Sequence, residues 1–263
     1  MNKVISKDGT IISYKKIGNG KPIILIDGAL CYSSFGPMPK LAPRLAKHFT
    51  VYYYDRRGRG DSTDIKPYSV EREVEDIEAL IKEAGGSAFV FGISSGAALG
   101  LKAAKRKLNI PKLALYEPPF VWDKNSGKPA VDHEAALKKI LAADQRGKAV
   151  KYFMVDMVGA PAIVAFIMQL MPMWKKLKVI AHTLPYDSAI MGNWSVPEEE
   201  ISSIIIPTLI SGGAKSPATL RNPVELIAKL LPNGTLKVLE GQTHNVGADV
   251  LAPILIEYFS DYV

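Results

Sequence analysis

Cysteine is almost missing from this chain. Cys31 is the single one among 263 residues, so no disulfide can close within the chain. Histidine is scarce too: His48, His133, His182 and His244 stand far apart, with no Cys/His cluster at zinc spacing. A Walker-type loop is also absent, which leaves metal and nucleotide chemistry without support. Long hydrophobic runs are lacking. The longest, Ala160 to Met173, is interrupted by Pro161, Gln169 and Pro172 and is too short to span a bilayer. The first residues, Met1 to Gly9, lack the apolar core of a signal peptide. A soluble cytoplasmic protein with no membrane partner is expected. Neither internal repeats nor low-complexity segments occur.

What is present fits one globular α/β domain with an insertion. Hydrophobic residues make up 48% and charged residues 22%, enough for a sizeable core. The formal net charge is +7, but the basic residues are scattered. Their densest groups are Arg56 to Arg59, Lys102 to Lys107 and Lys175 to Lys178, and none is interleaved with stacking aromatics. They read as a solvated basic face rather than a nucleic-acid surface.

Asp8-Gly9, flanked by Val4-Ile5 and by alternating Ile12, Tyr14 and Ile17, predicts a hairpin with a two-residue turn. Continuous apolar runs follow at Ile23 to Ile26, Thr50 to Tyr54, Ala88 to Phe91, Lys112 to Tyr116, Ile204 to Ile210 and Leu236 to Leu239. Such runs suit strands covered on both faces. Between them, Val70 to Ala84 places Val70, Val74, Ile77, Leu80 and Ile81 on one helical face, with Ser69 as N-cap and Gly85-Gly86 as the stop. Alternating strands and helices predict a mostly parallel sheet, whose reactive groups lie beyond the strands' carboxyl ends. The stretch between Tyr116 and Ile204 is too long for one crossover and is rich in methionine. It divides the chain into a core of residues 1–117 and 198–263 and an inserted helical cap of 118–197.

The chemistry centres on Gly92-Ile93-Ser94-Ser95-Gly96, a G-x-S-x-G pattern between an apolar strand and an alanine-rich helical stretch. That context makes Ser94 a candidate nucleophile at a helix N-terminus, where dipole and free N–H groups favour an anion. A serine hydroxyl needs a base. His244 follows the last expected strand in Gly241-Gln242-Thr243-His244, where a loop brings its ring toward Ser94. His48 and His133 read as surface residues, and His182 lies in the cap.

These pieces recur in order alongside Ile26-Asp27-Gly28 and Tyr54-Asp55-Arg56-Arg57-Gly58-Arg59-Gly60-Asp61-Ser62. In them the chain resembles the α/β-hydrolase superfamily over almost its full length. It is similar to the small bacterial esterases and haloperoxidase-like hydrolases. The resemblance implies a mostly parallel sheet flanked by helices, acyl-transfer chemistry and no metal or organic cofactor. Lyases and C–C hydrolases also occur in the superfamily. By position it makes the N–H groups of Ala29 and Ser95 the oxyanion donors.

Departures from the family pattern locate the open questions. Asp27 stands where a histidine is usual, either adding charge to the pocket or forming a structural salt bridge. Ile93 replaces His or Tyr and suggests an apolar wall beside the nucleophile. The loop from Ser211 to Asn222, where the family commonly places its acid, holds no Asp or Glu. Glu117 is the substitute, 23 residues after Ser94 at a strand's carboxyl end, where some branches carry the acid. Cys31 reads as a packing residue, away from the elbow.

The cap supplies candidate substrate contacts in Met154, Met157, Trp174 and Trp194, with Phe153, Phe166, Met168 and Met171 nearby. The expected function is hydrolysis of a small, apolar carboxylic ester through an acyl-enzyme on Ser94. The same scaffold also fits a cofactor-free lyase, a C–C hydrolase, a perhydrolase or a non-catalytic ligand-binding module. A small-molecule substrate is the one partner implied, and the oligomeric state stays open.

Overall fold

The computed structural model describes residues 1–121 and 130–261. Residues 122–129 of the expected cap lie outside that range. Eight strands form one sheet among the described residues: β1 (Asn2–Ile5), β2 (Ile11–Ile17), β3 (Pro22–Ile26), β4 (Thr50–Tyr54), β5 (Phe89–Ile93), β6 (Leu113–Tyr116), β7 (Thr208–Gly213) and β8 (Gly234–Leu239). Their spatial order is β1-β2-β4-β3-β5-β6-β7-β8. The first two strands run antiparallel to their neighbours and the rest pair in parallel.

The central strands are apolar throughout because both faces are covered. Ile24 and Ile26 of β3 and Val90 of β5 point into one layer, packed with α2 (Val70–Glu83) and α3 (Ser95–Lys105). Ile23, Leu25, Phe89 and Phe91 point into the other, against α1 (Met38–Leu45) and α11 (Ala248–Ser260). Each fully buried aliphatic side chain contributes about 1.5–3 kcal/mol relative to exposure. The register Ile24↔Tyr52 and Ile24↔Val90 brings the carboxyl ends of β3, β4 and β5 to one edge.

Between β6 and β7 lie α4 (His133–Ala142), α5 (Arg146–Tyr152), a π turn (Phe153–Met157), α6 (Ala162–Gln169) and α7 (Met173–Ile180). A 3₁₀ turn (Ala181–Thr183), α8 (Leu184–Met191) and α9 (Glu198–Ser202) complete this insertion. Helix α10 (Ala218–Leu230) then links β7 to β8. No helix among the described residues is long and apolar enough to cross a membrane.

Several local expectations need correction. The β1–β2 connection is a loop of residues 6–10 rather than a two-residue turn. The Asp8 carboxylate accepts from the Thr10 N–H at 3.0 Å and from Arg57 Nη1 at 2.9 Å, which shapes that wider loop. Ser69 sits at the N-cap of α2 without a side-chain capping bond. Strand β7 starts at Thr208, after Pro207, which has no N–H for a ladder, and extends to Gly213.

The largest correction concerns the basic group at 56–59. Arg56, Arg57 and Arg59 are 0–1% exposed, among the most buried side chains described. Arg56 forks onto Glu73 at 2.7 and 2.8 Å, and Arg57 forks onto Asp76 at 2.8 and 2.7 Å. A buried guanidinium is tolerable only with such partners. Sequence proximity alone does not reveal them.

Candidate active site

Ser94 lies between β5 and α3 with φ 57° and ψ −129°, a conformation costly for a residue with a side chain. Both flanking glycines are sterically required. A Cβ on Gly92 would stand 2.4 Å from the Gly96 carbonyl oxygen, and one on Gly96 would stand 2.4 Å from that of Ile26. The turn is held by the Ser94 N–H, which donates to the Tyr116 carbonyl at 2.9 Å. Its carbonyl in turn accepts from the Ala97 N–H, starting α3. Ser95 is the first residue of that helix, so its N–H has no acceptor within the helix.

His244 is carried by the loop after β8. That loop is pinned to β6 by the Tyr116 hydroxyl, which donates to the Thr243 carbonyl at 2.6 Å. It is pinned to β7 by the Lys215 N–H, which donates to the Gln242 carbonyl at 2.8 Å. His244 Nδ1 then lies 2.8 Å from Glu117 Oε2. Glu117 sits just past β6 at φ 44°, fully buried, and its Oε1 accepts from the Gly213 N–H at 2.7 Å. Burial pushes its carboxyl pKa up, but the hydrogen bonds from His244 and the Gly213 N–H prevail, and the net shift is downward. Glu117 is therefore held as a carboxylate facing the ring.

A cavity of about 260 Å³ opens over these groups, with Gly28, Ala29, Ser94, Ser95 and His244 in its wall. Ile93, Met157 and Trp194 line it as well. Met154 and Trp174, expected beside them, are absent from that lining. Trp174 is buried within the insertion beside Gly147 of α5, and Met154 packs against the core. Phe153 reaches the cavity, whereas Phe166 and Met171 are 57% and 46% exposed. Helical periodicity identifies neither kind, because it does not say which helix face meets the sheet.

The other histidines stand elsewhere. His133 is half-buried, edge-on to Trp194, with Nδ1 2.9 Å from the Tyr152 hydroxyl. His182 lies with Nδ1 3.1 Å from the Val179 carbonyl and Nε2 3.8 Å from Asp64 Oδ2. Cys31 does touch the cavity, but burial, reinforced by Asp27, pushes its thiol pKa up and keeps it un-ionised.

Asp27 makes no salt bridge among the described residues. It is 1% exposed, and neither carboxyl oxygen has a hydrogen-bond partner among the described residues. Burial raises its pKa well above the ordinary value of 3.8 despite Arg59 and Arg56 nearby. Among the described residues no group of three or more His, Cys, Asp or Glu side chains is arranged to hold a metal ion.

One group was not foreseen at the site. Asp187 of α8 reaches the cavity wall, and its Oδ1 accepts from the Ser95 hydroxyl at 2.7 Å and from Arg56 Nη1 at 2.8 Å. Its Oδ2 accepts from Arg59 Nη2 at 2.7 Å. The only sequence signal was Arg56 and Arg59 in Arg56-Arg57-Gly58-Arg59, whose shared carboxylate partner lies 131 residues beyond Arg56.

Comparisons with known proteins agree with this architecture. The chain is 48% identical to an alpha/beta hydrolase from Sphaerobacter thermophilus DSM 20745, with a TM-score of 0.91 covering 98% of this chain and 100% of that one. A bromoperoxidase from Bacillus anthracis shares the fold at TM-score 0.74 and 20% identity, over 99% of this chain and 100% of that one. The uncharacterized hydrolase YraK of Bacillus subtilis (strain 168) is 36% identical over 104 residues, and the match spans 38% of each protein. The model of the alpha/beta hydrolase family matches residues 23–252, and the chain belongs to that family.

Proposed function

We propose that this protein hydrolyses a neutral, largely apolar carboxylic ester through an acyl-enzyme on Ser94. The observation that carries the reading is the 2.8 Å contact between Glu117 and His244, made beside a cavity into which a strained Ser94 also projects. With Glu117 on Nδ1, the ring offers Nε2 as the base.

Ser94 Oγ forms a bond to the ester carbonyl carbon while its proton passes to His244. The tetrahedral oxyanion is taken up by the N–H groups of Ala29 and Ser95. Collapse breaks the carbon–oxygen bond to the alcohol, which leaves with the proton from His244. Water then attacks the acyl-enzyme by the same route, releasing the carboxylic acid and restoring Ser94.

The cavity wall supports the substrate class. Among the described residues no Lys or Arg lines it, and the carboxylate found there, Asp187, is already engaged by two arginines and Ser95. A substrate carboxylate would lose its hydration there without gaining a cation from these residues. Apolar walls from Ile93, Val121, Met157, Met191 and Trp194 suit an uncharged acyl or alcohol group.

The test is a p-nitrophenyl ester series of increasing acyl length, run beside labelling with a fluorophosphonate. Wild type is expected to turn over short and medium esters and to label once, with both activities lost in Ser94→Ala. Equal labelling of Ser94→Ala and wild type would remove Ser94 as the nucleophile.

A further inference from the structure

The buried side chains of Arg56, Arg59, Asp187 and Ser95 take no direct part in the acyl-transfer steps, yet they touch both sides of the oxyanion site. Arg59 Nη1 donates to the Gly28 carbonyl at 2.7 Å and to the Cys31 carbonyl at 3.3 Å. The Gly28 carbonyl and the Ala29 N–H belong to one peptide unit. A trans peptide is planar, so its N–H points away from its carbonyl. Holding that carbonyl toward buried Arg59 turns the Ala29 N–H to the opposite side, toward the cavity that Gly28 and Ala29 line. A guanidinium on the carbonyl also polarises the peptide and strengthens the N–H as a donor.

The second donor is treated in a matching way. Ser95 is 3% exposed, and its hydroxyl is fixed between Asp187 Oδ1 at 2.7 Å and Arg56 Nη1 at 3.2 Å. Arg56 Nη1 also reaches the Asp27 carbonyl at 3.4 Å, at the base of the same loop. Asp187 joins the halves, because one carboxylate oxygen serves Ser95 and Arg56 and the other serves Arg59. Removing it would leave two buried guanidinium groups short of a partner and free both donor-bearing segments to shift.

We infer that Asp187, contributed by the insertion, is the positioning residue that sets both oxyanion donors, acting through Ser95 on one side and Arg59 on the other. The oxyanion site is then complete only when α8 is docked on the core. This rests on the acyl-enzyme reading above, and it adds a residue from outside the β3, β5, β6 and β8 loops that carry the reacting groups.

Ser95→Ala, Asp187→Asn and Arg59→Lys are measured beside wild type for p-nitrophenyl acetate turnover, for inhibition by phenylboronic acid and for thermal melting. The boronic acid forms a tetrahedral adduct on the nucleophile and so reports on the donors rather than on substrate binding. Ser95→Ala and Asp187→Asn are expected to lower kcat about 10- to 100-fold with little change in KM, and to weaken boronate binding by a similar factor. Arg59→Lys keeps the charge but loses the fork, and an intermediate loss is expected. A purely structural role would lower the melting temperature without separating kcat from KM.

If Asp187→Asn does not fold, Ser95→Ala decides alone, since it deletes a single hydroxyl and keeps the backbone N–H. Wild-type kcat and boronate affinity in folded Ser95→Ala overturn the inference. A wild type that neither turns over esters nor labels at Ser94 removes the acyl-enzyme reading and this one with it. An active, labelled wild type with unaffected variants removes only this one.

Discussion

Glu117 Oε2 and His244 Nδ1 stand 2.8 Å apart although 127 positions separate them in the chain. The contact depends on two strand ends, those of β6 and β8, with β7 between them. Gly212 and Gly213 of β7 allow it. A Cβ on Gly212 would lie 3.2 Å from Glu117 Oε1, and one on Gly213 would lie 2.3 Å from the Gln242 carbonyl oxygen.

Glu117→Gln keeps the size of the side chain and an acceptor for the Gly213 N–H, but removes the charge opposite His244. Turnover of p-nitrophenyl acetate is expected to fall by about 10²–10⁴-fold, with labelling by fluorophosphonate slowed in parallel. Stability should respond as well. The carboxyl pKa is depressed in the folded protein, so its contribution is present above the ordinary value of 4.5 and is lost as pH falls below it. Melting curves of wild type and Glu117→Gln should therefore converge on acidification below that value. Curves that stay parallel would contradict the depressed pKa.

The elbow glycines make a second, purely steric prediction. In Gly96→Ala the added methyl meets the Ile26 and Asp27 carbonyl oxygens at 2.4 and 2.6 Å, and both are backbone atoms that no rotamer change can move. Overpacking of this kind costs about 1–3 kcal/mol. Each kcal/mol lowers the melting temperature of a chain this size by about 2–4 °C. Differential scanning fluorimetry should show the loss. An unchanged melting temperature would mean that β3 and α3 approach each other less closely than described.

Asp27 gives a stability prediction of opposite sign. Its pKa is raised by burial, so between the ordinary value of 3.8 and its folded value the native state holds a proton that the unfolded chain releases. Stability is fully present below the unfolded pKa and declines as pH rises through that window. Asp27→Asn mimics the protonated acid at every pH. It is expected to raise the melting temperature at pH 7 and leave it nearly unchanged at pH 4. A gain of equal size at both pH values would point to hydrogen bonding rather than ionisation.

The sheet was legible in the sequence because buried parallel strands leave continuous apolar runs, and Thr50 to Tyr54 matches β4 residue for residue. Ser94 was legible because its turn needs glycines at fixed positions. Glu117 became a candidate when the loop from Ser211 to Asn222 proved empty of acids. Asp187 was not legible. Its importance comes from long-range pairing with Arg56, Arg59 and Ser95, and an aspartate in an apolar helix carries no local mark of such partners. Asp27 was not legible either: the sequence suggested a pocket charge or a salt bridge, and the lack of a partner for its carboxyl group among the described residues is a tertiary fact. Met154 and Trp174 were misplaced for the related reason that helix orientation is decided by packing.

Met157 offers a direct reading of the cavity. It ends the π turn of the insertion, is 8% exposed and contributes to the wall. Trp194 lines the same space but also holds His133 edge-on and donates to the Ser188 hydroxyl at 3.4 Å, so truncating it would disturb folding as well as shape. Met157→Ala is the cleaner change, with an expected cost of about 2–5 kcal/mol in stability if the space stays empty. The vacated volume can be filled by a longer acyl chain. Each methylene accommodated in an apolar pocket is worth about 1–3 kcal/mol in discrimination. The kcat/KM optimum in the p-nitrophenyl series should therefore move to longer esters by at least one or two carbons, with acetate turnover reduced or unchanged. A uniform fall across all chain lengths would show that Met157 supports the site without bounding the acyl group, and the wall would then have to be assigned to Met191 and Ile93 instead.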